Sequence, residues 1–276
     1  MTGKPAQTLS SDHRTPGPSV ATSALVEVSG ISKSFGGLRA VNDCSLRIER
    51  GSVTALIGPN GAGKSTLFAI MAGAIKPDAG RVLLEGEDVT GLAPHRLFHK
   101  GIVRTFQIPQ EFSRMSLREN LMLVPAGQKG ESLWAAWTRW GKVRDEEERL
   151  RSQADEVLDF LSLAHLADQA AGSLSGGQKK LLELGRTMMT EAKLVLLDEP
   201  GAGVNRTLLG KIAESIETLN RERGYSFCII EHDMDLIARL CHPVIVMAQG
   251  SVIAQGAMAE IRAHGQVREA YLGGGA

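Results

Sequence analysis

An α/β fold is predicted for this chain of 276 residues: a parallel sheet with a phosphate-binding loop, an antiparallel β flank and an inserted α-helical segment. Three observations carry that prediction. The stretch GPNGAGKST at 58–66 fits the pattern G-x-x-x-x-G-K-[ST], with an apolar run, Val53–Ile57, before it and a helical one, Thr66–Ile70, after it. A second apolar run, Leu194–Leu197, reads as a parallel strand buried on both faces. It ends in Asp198 and Glu199, at the strand end where open α/β sheets present their ligand site. Between these two halves β-branched residues thin out and helical periodicity takes over.

Taken in order, residues 1–23 are rich in Ser, Thr, Pro and Gly and lack an apolar signal core, so a disordered tail is expected there and not a secretory signal. Short β-prone runs follow at Leu25–Val28, Ser45–Ile48, Val53–Ile57 and Val82–Leu84, and residues 87–108 return to the core through Val103–Phe106. Helices are expected over 117–123, 133–140 and 145–163. The core resumes with strands at 194–197 and 225–230 and closes with the hairpin Val244–Met247 and Val252–Gln255, turned at Gln249, Gly250 and Ser251. The expected domain is therefore 24–273, with a core of 24–108 and 190–273 and a helical subdomain of about 109–189.

Composition narrows the partners. Basic and acidic residues balance at 31 each, which leaves no electrostatic footprint for nucleic acid. Three cysteines without CxxC spacing argue against a disulfide framework and fit a reducing compartment. No apolar run approaches the roughly 18 residues of a membrane-crossing helix, so any membrane attachment would come through partners.

The first motif supplies phosphate chemistry. Gly58, Gly61 and Gly63 allow a tight turn in which successive N–H groups point into one concavity, and Pro59, Asn60, Ala62 and Thr66 complete the loop. Phosphates would lie at a helix N-terminus, where backbone dipoles favour anions. Lys64 would reach the β- and γ-phosphates and the Ser65 hydroxyl would ligate Mg²⁺. Asp198 is assigned to the metal, and Glu199 to the attacking water as general base.

A further pentapeptide, LSGGQ, occupies Leu174, Ser175, Gly176, Gly177 and Gln178, ahead of a helical run over 179–188. Ser175 is a good N-cap, and two glycines let bare N–H groups approach an anion. With this motif in place the chain resembles the ATP-binding subunits of ABC transporters, over roughly residues 24–273. The resemblance implies ATP binding and hydrolysis, with two subunits arranged head to tail so that the pentapeptide of one faces the γ-phosphate held by the other. It also implies a role for Phe35, in the aromatic slot that stacks on adenine, although a core phenylalanine is the alternative. Gln107 matches the loop glutamine that contacts Mg²⁺ and water and senses the permease, and His232, in EHD at 231–233, matches the switch histidine. The loop GAGVN at 201–205 stands where TSALD is commoner. Gly203 and Asn205 would couple the subunits there, with a carbonyl in place of a charge.

Within that family the resemblance is strongest to the branched-chain amino acid importers of bacteria, and to the longer of their two ATPase subunits. It rests on RTFQ at 104–107, a Trp-containing insert after it, GAGVN, EHDM at 231–234 and the ending REAYLG at 268–273. Implied partners are integral membrane permease subunits, a second ATPase subunit (the same chain or a different one) and, indirectly, a solute-binding protein, at the cytoplasmic face of the inner membrane. Urea, amide and lipopolysaccharide systems have similar ATPases, and a soluble ATPase of the iron–sulfur assembly type is the rival from another class. Trp134, Trp137 and Trp140 share one helical face, which would either pack onto the subdomain or meet a membrane partner.

Overall fold

The structure, a computed structural model, describes residues 24–105, 111–128 and 140–272. Phe106, Gln107, Trp134 and Trp137 lie outside them, as does the tail over 1–23; Trp140 opens a helix.

The described strands form two sheets. One is antiparallel, in the order β2-β1-β4-β5: β1 Ala24–Phe35, β2 Leu38–Glu49, β4 Ala79–Leu84 and β5 Glu87–Asp88. The other runs β10-β9-β3-β8-β7-β6, comprising β3 Val53–Ile57, β6 Ile102–Arg104, β7 Leu194–Asp198, β8 Ser226–Ile230, β9 Val244–Ala248 and β10 Ser251–Gly256. Its strands pair in parallel except where β10 returns along β9.

Every residue of β3, β7 and β8 is buried, as their continuous apolar sequences require. Period-two alternation then divides their side chains between two cores. Val53, Ala55, Ile57, Val195, Leu197, Phe227 and Ile229 face one cluster, and Leu56, Leu194, Leu196, Cys228 and Ile230 the other. The second cluster takes in the antiparallel sheet and helix α1, Lys64–Met71. The first continues into the helical segment, formed by α3 Leu117–Met122, α4 Trp140–Phe160 and α5 Gly176–Met188. Helix α2 spans Pro94–His99. Helices α6 Arg206–Arg223 and α7 Met234–Leu240 follow β7 and β8, and α8 Met258–Ala263 and α9 Gly265–Leu272 end the described chain.

Several elements exceed the sequence expectation, among them β2, which spans Leu38–Glu49 where Ser45–Ile48 is expected. Strand β1 runs on past Val28, because Gly30, at φ 62, takes up a register shift and its N–H bonds the Ser45 hydroxyl at 2.9 Å. Helix α4 begins before Asp145 and buries Val143, Leu150, Ala154, Val157 and Leu158 along one stripe, leaving Arg144, Asp145, Glu147, Glu148, Arg149 and Arg151 exposed.

Candidate active site

Register brings the motifs together. On β3, β8 and β7, Leu56 pairs with Ile230 and Ile230 with Asp198, so three adjacent strands end at one level. The loop at 58–63 follows the first, His232 the second and Glu199 the third. More than a hundred residues of sequence separation collapse into one sheet edge.

The phosphate-binding loop has the geometry its glycines predict. Gly58, Gly61 and Gly63 have φ 148, 78 and 96. At Gly63 a side chain is excluded twice over, by backbone angle and by the Ala40 carbonyl lying where its Cβ would stand. Gly63 caps α1 with no side-chain bond to the first turn, which leaves those N–H groups available to an anion. The loop is braced from behind by the β9–β10 turn, where Gly250 donates to the Ala62 carbonyl at 3.1 Å and accepts from Asn42 N–H at 2.9 Å. Lys64 is only 7 % exposed and donates to the carbonyls of Gly58 at 2.8 Å and Pro59 at 3.0 Å. Burial lowers its pKa, while Glu199 and Asp198 pull it back up.

Asp198 is buried, and its Oδ2 accepts from Arg104 Nη2 at 3.0 Å. Glu199 occupies a left-handed backbone conformation, φ 50, fixed by its N–H to the Ile230 carbonyl at 2.9 Å. Its Oε1 lies 3.0 Å from His232 Nε2. The two residues expected to act on water and γ-phosphate thus touch within one chain.

Phe35 sits at the mouth of this site, 47 % exposed, with the Lys33 ammonium 5.6 Å from its ring centre. It is no core residue, and it lines a cavity of about 340 Å³ with Asn60–Thr66, Glu199 and His232. Leu38, Arg39 and Ala40 line it too, and sequence reasoning did not single them out. Two larger hollows, about 830 and 470 Å³, lie between the sheet region and the helical segment; chemistry, not size, identifies the candidate site.

None of Leu174–Gln178 is among the cavity-lining residues, so within one chain the pentapeptide stands apart from the loop at 58–66. Ser175 caps α5 in a reciprocal box: Gln178 N–H meets its hydroxyl at 3.4 Å, and Gln178 Oε1 accepts Ser175 N–H at 2.9 Å. The two glycines differ. Nothing lies within 4 Å of a Cβ built on Gly176, whereas one on Gly177 would come 2.5 Å from Leu208 Cδ1. Gly176 has open space, and Gly177 is needed for packing. Gly203 takes φ 72, also with open space around it, while Asn205 Oδ1 accepts Leu208 N–H at 3.0 Å as the N-cap of α6. This capping role within the subunit was not foreseen.

The oxygen donors present, the Ser65 hydroxyl beside the cavity and the Asp198 carboxylate, suit a hard cation. Among the described residues no three His, Cys, Asp or Glu side chains cluster as a metal cage. That donor set fits Mg²⁺, which keeps waters and shares phosphate oxygens.

Comparison with known proteins identifies the family. The sequence model of the family described as ABC transporter matches residues 41–202, and that of the branched-chain amino acid ATP-binding cassette transporter matches 251–276. A protein of Archaeoglobus fulgidus named "Probable branched-chain amino acid transport ATP-binding protein LivG" is 43 % identical over 90 % of this chain and 95 % of its own length. The high-affinity branched-chain amino acid transport ATP-binding protein BraF of Pseudomonas aeruginosa is 36 % identical, covering 90 % and 98 %. A solved ATP-binding cassette of an ABC transporter in its ADP conformation superposes with a TM-score of 0.77 at 38 % identity, over 91 % of this chain and 100 % of that one.

Proposed function

Since the chain belongs to the ABC transporter family of ATP-binding proteins, we propose that it powers an importer of branched-chain amino acids or a related small polar solute. Its activity is ATP hydrolysis coupled to transport. One observation carries the assignment of residues: β3, β8 and β7 end side by side, with buried Lys64 and the His232–Glu199 pair at the same edge.

The loop N–H groups and Lys64 hold the β- and γ-phosphates, and Phe35 stacks on the base. Glu199 takes a proton from the attacking water, and His232 fixes the direction of its carboxylate. Ser65, Asp198 and Gln107 would hold Mg²⁺, which would supply charge neutralisation at the phosphate oxygens. The pentapeptide at 174–178 and the loop of Gly203 and Asn205 serve the partner subunit's nucleotide, in a dimer of this chain or of this chain with a similar one. The unit comprises a core at 24–108 and 190–273 with a helical subdomain at about 109–189. Among the described residues no helix is long and apolar enough to cross a membrane, so permease subunits would hold the chain at the cytoplasmic face of the inner membrane. The match of residues 251–276 favours the branched-chain class over urea, amide, lipopolysaccharide or iron–sulfur systems.

The test is reconstitution of the chain with its permease subunits and solute-binding protein in liposomes. ATP hydrolysis should rise several-fold when the binding protein carries leucine, isoleucine or valine. Stimulation by urea or an amide alone would reassign the solute, and an absence of hydrolysis would remove the enzymatic role.

A further inference from the structure

Glu231 directly follows β8 and is 5 % exposed. Its Oε1 accepts the Gly201 N–H at 2.6 Å, and its Oε2 accepts the His232 N–H at 2.9 Å and lies 3.5 Å from Asp233 N. One buried carboxylate therefore spans two loops, the stretch after Glu199 that leads to Asn205 and the stretch that carries His232. The fit is tight from the opposite side as well. A Cβ on Gly201 would lie 2.8 Å from Glu231 Oε1 and 3.0 Å from Leu209 Cδ1, so the glycine and the glutamate share one space. A buried carboxylate needs compensating charge. Lys180 supplies it from the helix that begins at the pentapeptide: its ammonium feels Glu183, Asp198, Glu231 and Glu199, and it donates to the Glu199 carbonyl at 3.3 Å.

We propose that Glu231 is a positioning residue that fixes the loop over 201–205 to the loop of His232. It rests on the reading of a head-to-tail dimer given above. Displacement of the first loop against a partner subunit is then passed through a rigid carboxylate to the hydrogen bond between His232 and Glu199. Glu231 does not line the nucleotide cavity, so it acts on the geometry of hydrolysis and not on ATP binding. Glutamine cannot replace it fully, because its amide offers one acceptor oxygen where two loops each require one.

The experiment compares the parent with Glu231→Gln, Glu231→Ala, Gly201→Ala and the double variant Glu231→Ala/Gly201→Ala, each as the full chain in its reconstituted transporter. The expected kcat falls about 10-fold for Glu231→Gln and up to about 100-fold for Glu231→Ala, the range for loss of a residue that orients a reacting group. KM for ATP should stay within about twofold of the parent, since phosphate binding is untouched. Gly201→Ala should lower kcat alone and add much less once Glu231 is alanine, because the contact with Glu231 Oε1 is then gone and only the one with Leu209 Cδ1 remains. Glu231→Gln keeps the side-chain volume and tests the idea even if the alanine variant does not fold. Either variant with kcat within twofold of the parent, additive losses in the double variant, or a change confined to KM would overturn the clamp. A parent that hydrolyses no ATP would overturn the function reading, and the clamp with it; an active parent beside unaffected Glu231 variants would overturn the clamp alone.

Discussion

His232 Nε2 and Glu199 Oε1 lie 3.0 Å apart, although 33 residues separate them in sequence. The contact follows from β7 and β8 pairing in parallel with Asp198 opposite Ile230, which sends both chain ends into the same loop region. Glu199 reaches it only by adopting φ 50, a left-handed conformation that costs a residue with a Cβ roughly 1–2 kcal/mol. Its N–H bond to the Ile230 carbonyl, and the bonds its own carbonyl accepts from Ala202 N–H and Lys180, hold it there.

That geometry makes Glu199→Gln the cleanest test of the base. The substitution keeps shape and the possibility of a bond to His232 while removing proton affinity. Turnover should drop ~10²–10⁴-fold, the usual contribution of a positioned base, with ATP affinity retained. Phosphate release and binding of a fluorescent ATP analogue would be measured side by side; near-parental phosphate release would take Glu199 out of the role.

Lys64→Ala should act on the other half of the reaction. It deletes a charged donor to phosphate, worth about 1.5–3 kcal/mol, so nucleotide affinity should weaken by at least ~10-fold. Titration with the same analogue gives the answer, and an unchanged affinity would contradict the placement of phosphate on this loop.

The two pentapeptide glycines should separate stability from function. Gly177→Ala meets Leu208 and should lower the melting temperature, by an overpacking cost of about 1–3 kcal/mol. Gly176→Ala meets nothing, so it should melt like the parent and lose hydrolysis only in the assembled dimer. Ser175→Arg removes the cap of α5, at about 1 kcal/mol, and should also bind ATP as a monomer without turning it over. Full activity of Ser175→Arg in the transporter would exclude a shared site.

Alkaline pH should destabilise the chain through its thiols. Burial, aided by Asp43 and Glu231 respectively, pushes Cys44 and Cys241 up to about 12, and burial raises Cys228 as well. An unfolded chain sheds these protons from about pH 8.5, whereas the folded chain retains them. Above that pH the unfolded state binds fewer protons, so stability is full below it and declines toward pH 12. The urea midpoint should therefore fall between pH 8 and pH 10.5. A thiol reagent should leave Cys44, Cys228 and Cys241 unmodified until the chain is denatured, since all three are buried. Flat stability across that range would refute the shift.

Contiguous motifs were legible in the sequence because their chemistry is local. A glycine-rich loop between strand and helix, and two acids at the end of an apolar strand, each report their own surroundings. Arg104 was read only as part of RTFQ; its contact with Asp198 depends on the register of β6 against β7, which no local pattern encodes. Glu231 and Lys180 escaped for the same reason, although a charge next to a fully buried strand was a signal that was present. Asn205 was read through its counterpart in relatives, and that reading passed over its ordinary talent as a helix cap. Phe35 remained open between base stacking and core, because alternation cannot say which end of a strand reaches solvent.

The order β3-β8-β7 also governs when a ribosome-bound chain can acquire its site. Strands β3 and β7 never pair with each other; β8 stands between them and is the last of the three to be made. A nascent chain exposed only to residue 225 carries Lys64, Asp198 and Glu199, yet lacks the strand that joins their supports. At about 5–20 residues per second the interval from Ile57 to Ile230 is many seconds long. Nucleotide in the cell therefore meets the complete site only after Ile230 is made, and a message truncated before Ile230 yields a chain with the phosphate loop but without the strand that sets it beside Asp198 and Glu199.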